Sequence, residues 1–108
     1  MINSDQYDLI IAIVSRGRTQ TVMDAATRAG ARGGTVLPAR GTGFEQAQKF
    51  LGITIQPDRE IVMIIAERTA RSQIMRVISE ETELSGVGNG MAFSLPVDSA
   101  VGLSPLIE

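Results

Sequence analysis

The stretch Leu9-Ile-Ile-Ala-Ile-Val14, running out into Ser15-Arg-Gly-Arg18, decides the architecture. It is short, rich in β-branched residues and closed by a polar loop, which reads as a buried strand followed by a turn. Beyond it the period changes. Val22, Met23, Ala26 and Ala29 fall on one face of a 3.6-residue repeat, and Asp24 and Arg28 stand on the other as an i,i+4 acid–base pair. The spacing predicts a helix over residues 19–29, with Thr19 as its N-cap and Gly30 as a left-handed stop.

A second strand is expected over Gly33–Arg40, confined to a sheet edge or a bulge because Pro38 has no N–H to donate. Residues 41–57 show no sustained period, so they form a long connection, with the flexible part at about 44–56. Within it Glu45 and Lys49 have the spacing of one or two helical turns. Glu60 to Glu67 reads as a third strand. Thr69 is placed to cap a second helix running to about Glu83, with Ala70, Ile74, Val77, Ile78 and Leu84 as its apolar stripe. A glycine-rich turn at 85–90 leads into a fourth strand over Met91–Val97, and 98–108 forms a loosely packed tail.

The element order is β-α-β-β-α-β, and right-handed crossovers convert it into a four-stranded antiparallel sheet with both helices on one face. The expected class is α+β, ferredoxin-like, in a single domain spanning 1–108. The first and third strands are apolar at nearly every position instead of alternating, so the helix-free face of the sheet is apolar too and needs a cover. A symmetric homo-oligomer supplies one.

Composition narrows the chemistry. The chain has 108 residues, 44% of them hydrophobic, with no cysteine, histidine or tryptophan. That removes thiolate nucleophiles, disulfides, imidazole bases and His- or Cys-ligated metals. Nine arginines and Lys49 against twelve carboxylates give a net charge of −2, a poor match to a sequence-independent nucleic-acid binder. No apolar run approaches the ~20 residues of a membrane-spanning helix, and residues 1–8 lack the features of a secretory signal. No nucleic-acid partner, no membrane insertion and a cytoplasmic location are therefore expected. Met23, Met63, Met75 and Met91 read as packing residues, and the adjacent Glu80 and Glu81 point to different sides of a helix.

Two glycine clusters stand at strand ends, Gly41-Thr-Gly43 and Gly86-Val-Gly-Asn-Gly90. Successive backbone N–H groups in such turns can hold an anion, and a missing Cβ lets a ligand approach the main chain. Neither cluster has the spacing of a dinucleotide fingerprint or a Walker loop, and tight turns without a ligand account for the pattern as it stands.

The stretch Gly33-Gly-Thr-Val-Leu-Pro-Ala-Arg-Gly-Thr-Gly43 resembles the second strand and loop root of PII nitrogen-regulatory signalling proteins. Residues 60–66 resemble the family's third strand, and Gly86-Val-Gly-Asn-Gly-Met-Ala-Phe93 resembles its B-loop and fourth strand. The resemblance spans residues 8 to about 101. It implies a homotrimer with an adenine-nucleotide site in each cleft between subunits, a flexible loop that docks on a target such as a transporter or metabolic enzyme of nitrogen or carbon metabolism, and no catalysed reaction or required cofactor. Thr35, Gly41 and Gly43 match positions lining the base and phosphate regions, and Gly86, Gly88, Asn89 and Gly90 fall in the B-loop. Three cationic positions of the family are Met91, Gly102 and Ser104 here, so AMP or ADP is favoured over ATP. The loop is shorter than the family's and has no tyrosine to modify, while Phe44, Phe50, Leu51 and Ile53 make it apolar and, with Lys49 interleaved, suit it to docking on a partner.

Two other functions share this topology. An ACT-like amino-acid-binding module would use Gly17 beside a dimer interface. An acylphosphatase-like enzyme would use Arg18 as a phosphate holder, but Asn89, the carboxamide that would place water, sits at the far end of the chain in another element, and Arg16 and Arg18 read as solvated cations. A copper-tolerance-type protein fits poorly without Cys or His.

Overall fold

A computed structural model describes residues 6–40, 48–50, 53–55, 58–84 and 90–103. The elements are β1 (Tyr7–Ser15), α1 (Thr19–Arg28), β2 (Thr35–Arg40), β3 (Gln48–Phe50), β4 (Ile53–Ile55), β5 (Asp58–Glu67), α2 (Arg68–Thr82) and β6 (Gly90–Pro96). Four of the strands form one antiparallel sheet in the order β2-β5-β1-β6, the ferredoxin-like arrangement expected from the element order. β2 lies at an edge, where Pro38 costs no central ladder bond.

One face of the sheet makes the core with both helices. Ile10, Ala12 and Val14 of β1 and Val62, Ile64 and Ala66 of β5 meet Val22, Ala25 and Ala26 of α1 and Ile74 and Ile78 of α2. The register places the alternate residues on the opposite face. Leu37, Ile61, Ile13 and Met91 share one row there, and Leu9, Ile65 and Leu95 another. Leu37, Met91, Phe93 and Leu95 are 39–47% exposed, so the helix-free face is apolar, as the unbroken apolar strands predict.

Several local expectations fail for tertiary reasons. Lys49 is in a strand and not a helical turn: β3 and β4 pair antiparallel, with Lys49 opposite Thr54 and Phe50 opposite Ile53, while Glu45 lies outside the described residues. Alternation in Ile53-Thr-Ile55 outweighs the spacing of Glu45 and Lys49. Thr19 is the first residue of α1 and not its cap. Arg18 occupies the cap position without a side-chain capping bond, and the Thr19 hydroxyl donates to Glu60 Oε1 at 2.6 Å. Thr69 likewise lies inside α2, whose cap is Glu67. The Asp24–Arg28 pair does not form: Gln20 Nε2 donates to Asp24 at 2.8 Å, and Arg28 crosses to Glu81 of α2 at 2.7 Å. Gly30 does end α1. It has φ +114°, with the Ala31 N–H on the Ala26 carbonyl and the Gly30 N–H on that of Thr27, a Schellman closure.

Neither helix has an acidic residue in its first turn. The strands supply one to each: Glu60 of β5 meets the start of α1 through Thr19, and Asp8 of β1 meets the start of α2 through Arg68 and Arg71. A carboxylate near a helix N-terminus is favourable, so the sheet provides from a distance what the local sequence omits. Among the described residues no helix is long and apolar enough to cross a membrane.

Candidate functional site

One end of the sheet gathers the segments that carry chemistry. β1 and β2 finish there, β5 and β6 begin, and α1 starts beside them. The row Pro38, Glu60, Val14 and Gly90 crosses this end, the next row brings Ala39 against Arg59 and Arg59 against Ser15, and beyond it Arg40 stands opposite Asp58. The chain therefore leaves β2 toward residue 41 and enters β6 from residue 89 at the same end of the molecule.

Gly90 is fixed by close approach. Its φ is +119°, and a Cβ there would collide with the carbonyl oxygen of Ile13. Only glycine lets β6 start this tightly against β1. Thr35 sits elsewhere, in the row Thr35, Met63, Ile11 and Phe93 on the helix-free face, three positions along β2 from the row of Gly90. Lys49 and Phe50 lie in the β3–β4 hairpin. Gly41, Gly43, Phe44, Leu51, Gly86, Gly88 and Asn89 lie outside the described residues.

At the same end a cavity of about 610 Å³ opens between β2, the start of β5 and the turn after β1. The described residues that line it are Arg16, Pro38, Ala39, Arg40, Arg59 and Glu60. Arg59 is 2% exposed, and its Nη1 donates to Ser15 Oγ at 2.9 Å. Glu60 accepts from the Thr19 hydroxyl. Arg16 stands in a turn closed by the Arg18 N–H on the Ser15 carbonyl at 3.1 Å, with Gly17 at φ +98°. Arg18 is not a solvated cation: its Nη1 donates to the Thr82 carbonyl at 2.8 Å and ties the start of α1 to the end of α2. Arg40 and Arg59 stand in neighbouring rows of the β2–β5 ladder, Arg40 opposite Asp58 and Arg59 opposite Ala39.

The opposite end of the sheet is closed by charge. Asp8, 1% exposed, accepts from Arg68 Nε at 3.1 Å, Arg68 Nη2 at 2.9 Å and Arg71 Nη1 at 2.8 Å. The hydrogen bonds from Arg68 hold its carboxyl below the usual carboxylate value, against the opposing effect of burial, with Arg71 adding to the lowering. Among the described residues no group of three or more acidic, His or Cys side chains is placed to hold a metal.

A sequence model of the nitrogen regulatory protein P-II family matches residues 7–105. Among solved structures the chain is similar to the crystal structure of Arabidopsis thaliana PII bound to citrate. The two are 26% identical over 87% of this chain and 79% of that one, with a TM-score of 0.68. No curated protein sequence gives a significant match.

Proposed function

The chain belongs to the nitrogen regulatory protein P-II family of signalling regulators, and from that premise we propose that it senses an adenine nucleotide in clefts between the subunits of a homotrimer. It passes that occupancy to a target protein through the loop at about 44–56. AMP or ADP is favoured over ATP because Met91, Gly102 and Ser104 stand where the family carries cations. The observation that supports this reading is the convergence of Gly90, held against β1 by its missing Cβ, with the end of β2 at one end of the sheet. Both glycine clusters flank that point in the sequence.

The apolar helix-free face supports the trimer, since the row through Leu37, Ile61, Ile13 and Met91 gains most by packing on copies of itself. The relative's bound citrate supports a small anionic effector. The role is regulatory, in the cytoplasm, with a transporter or an enzyme of nitrogen or carbon metabolism as target and no reaction catalysed.

The test is light scattering combined with thermal shifts. A trimer whose melting temperature rises with AMP or ADP, and rises less with ATP, is the expected result. A monomer or dimer, or the absence of any shift with all three nucleotides, refutes the assignment. A dimer responding to an amino acid instead supports the ACT-like alternative.

A further inference from the structure

We propose that the turn joining β1 to α1 is a clasp that couples the end of α2 to the start of β5, with Arg18 and Thr19 as its positioning residues. The turn is fixed by its own backbone. Gly17 takes φ +98°, the Arg18 N–H donates to the Ser15 carbonyl at 3.1 Å, and the Arg18 carbonyl accepts from the Val22 N–H at 3.0 Å. From this frame two neighbouring side chains reach segments far away in sequence. Arg18 Nη1 donates to the Thr82 carbonyl at 2.8 Å, 64 residues on, and the Thr19 hydroxyl donates to Glu60 Oε1 at 2.6 Å, 41 residues on. Arg59, next to Glu60, donates to Ser15 Oγ at 2.9 Å, so the start of β5 is tied to the turn twice.

What the clasp holds at α2 is a strained helix end. α2 has no basic residue in its last turn, and the carbonyl of Thr82, its final residue, is one of those a helix cannot bond internally. Arg18 brings the missing donor and positive charge from outside. The next residue, Glu83, stands in the left-handed region at φ 54° and ψ 46° without being glycine, a conformation that persists when its surroundings over-determine it. Its N–H and that of Leu84 donate to the Ser79 carbonyl, and Arg18 pins the carbonyl just before it. Release of Thr82 lets Glu83 relax, and the freed Arg18 slackens the turn that holds Arg59 and Glu60. Residues 84–89 lead into Gly90 and residues 41–57 run into β5. The clasp thus stands between the two segments that the sensing role proposed above has to connect, and its regulatory meaning rests on that role.

The experiment is hydrogen exchange followed by NMR on the full chain without ligand, for the wild type, Arg18→Gln, Thr19→Val and Thr19→Ser. Rates are read against the amides of Arg68 and Val97, which are hydrogen-bonded at the far end of the sheet and report any general loss of stability. Relative to those two, Arg18→Gln speeds exchange about fivefold at Leu84 and also at residues 59–61, at the opposite end of the clasp from the bond it removes. Thr19→Val does the same at both places, and Thr19→Ser, which keeps the hydroxyl, restores wild-type rates. Acceleration confined to Leu84 in the first variant, or to residues 59–61 in the second, shows two separate anchors and overturns the link. Equal acceleration at Arg68 and Val97 overturns it too, as general destabilisation. No nucleotide is present, so a failure of the nucleotide reading leaves this test intact, and a failure of the link leaves light scattering and thermal shifts to judge that reading.

Discussion

At the sheet end formed by Tyr7, Glu67 and Pro96, two arginines converge on a single buried carboxylate, while at the end formed by Ser15, Arg40 and Arg59 three arginines share a cavity with one. The first arrangement leaves no comparable hollow: Asp8 takes three hydrogen bonds, and the start of α2 is bound to β1. In the second, Glu60 accepts from Thr19 at the start of α1 and Arg59 donates to Ser15 beside the cavity. The same residue type thus ties a helix to the sheet at one end and lines a cavity at the other.

Three substitutions probe that contrast, and the largest effect is expected at Gly90. Replacing it by alanine forces a Cβ against the Ile13 carbonyl in a left-handed backbone and costs about 3 kcal/mol or more, read as a lowered urea midpoint. A neutral result would mean that β6 does not start against β1 as tightly as the Gly90–Ile13 approach requires.

Asp8→Asn comes next, at about 2–3 kcal/mol, because it removes the charge that two arginines share in a buried position. The pH dependence of this loss has a defined sign. A carboxyl whose folded value is depressed stabilises the protein above its unfolded value, near 3.8, and the benefit disappears as pH falls through the folded value. Melting curves of wild type and variant should therefore differ near neutrality and converge in acid. A constant gap between them would show that the loss is packing and not charge.

The smallest effect is expected from Thr19→Val, about 1 kcal/mol, since it removes one hydrogen bond to Glu60 at nearly constant volume.

What could be read from the residues follows from how local the determinants are. Runs such as residues 9–14 and 60–67 announce strands by composition, and Pro38 and Gly30 act within their own turns, so element order and sheet topology were legible. The helix starts were not, because their carboxylates arrive from strands 41 and 60 residues away in sequence, Glu60 for Thr19 and Asp8 for Arg68. Arg28 was misassigned for the same reason, as its partner Glu81 belongs to the other helix. The β3–β4 hairpin was hidden by its shortness, since three-residue strands offer too few alternations to outweigh a competing helical spacing. Of the residues lining the cavity, Arg16 was singled out only as a solvated cation, and Arg40 and Arg59 carried no signal at all. Antiparallel pairing, and not proximity in the chain, sets the end of β2 beside the start of β5.

The strand order also has a consequence for synthesis. β1 lies at the centre of the sheet, yet its partners are β5 and β6, so Asp8 waits for Ala66 on one side and Pro96 on the other. Contacts spanning so much of the chain slow folding, because loops must close before the contacts form. A nascent chain halted before residue 90 carries its most apolar strand with an unclosed edge, where a neighbouring polypeptide can add. Completion of the last strand is thus the step that makes the first one safe.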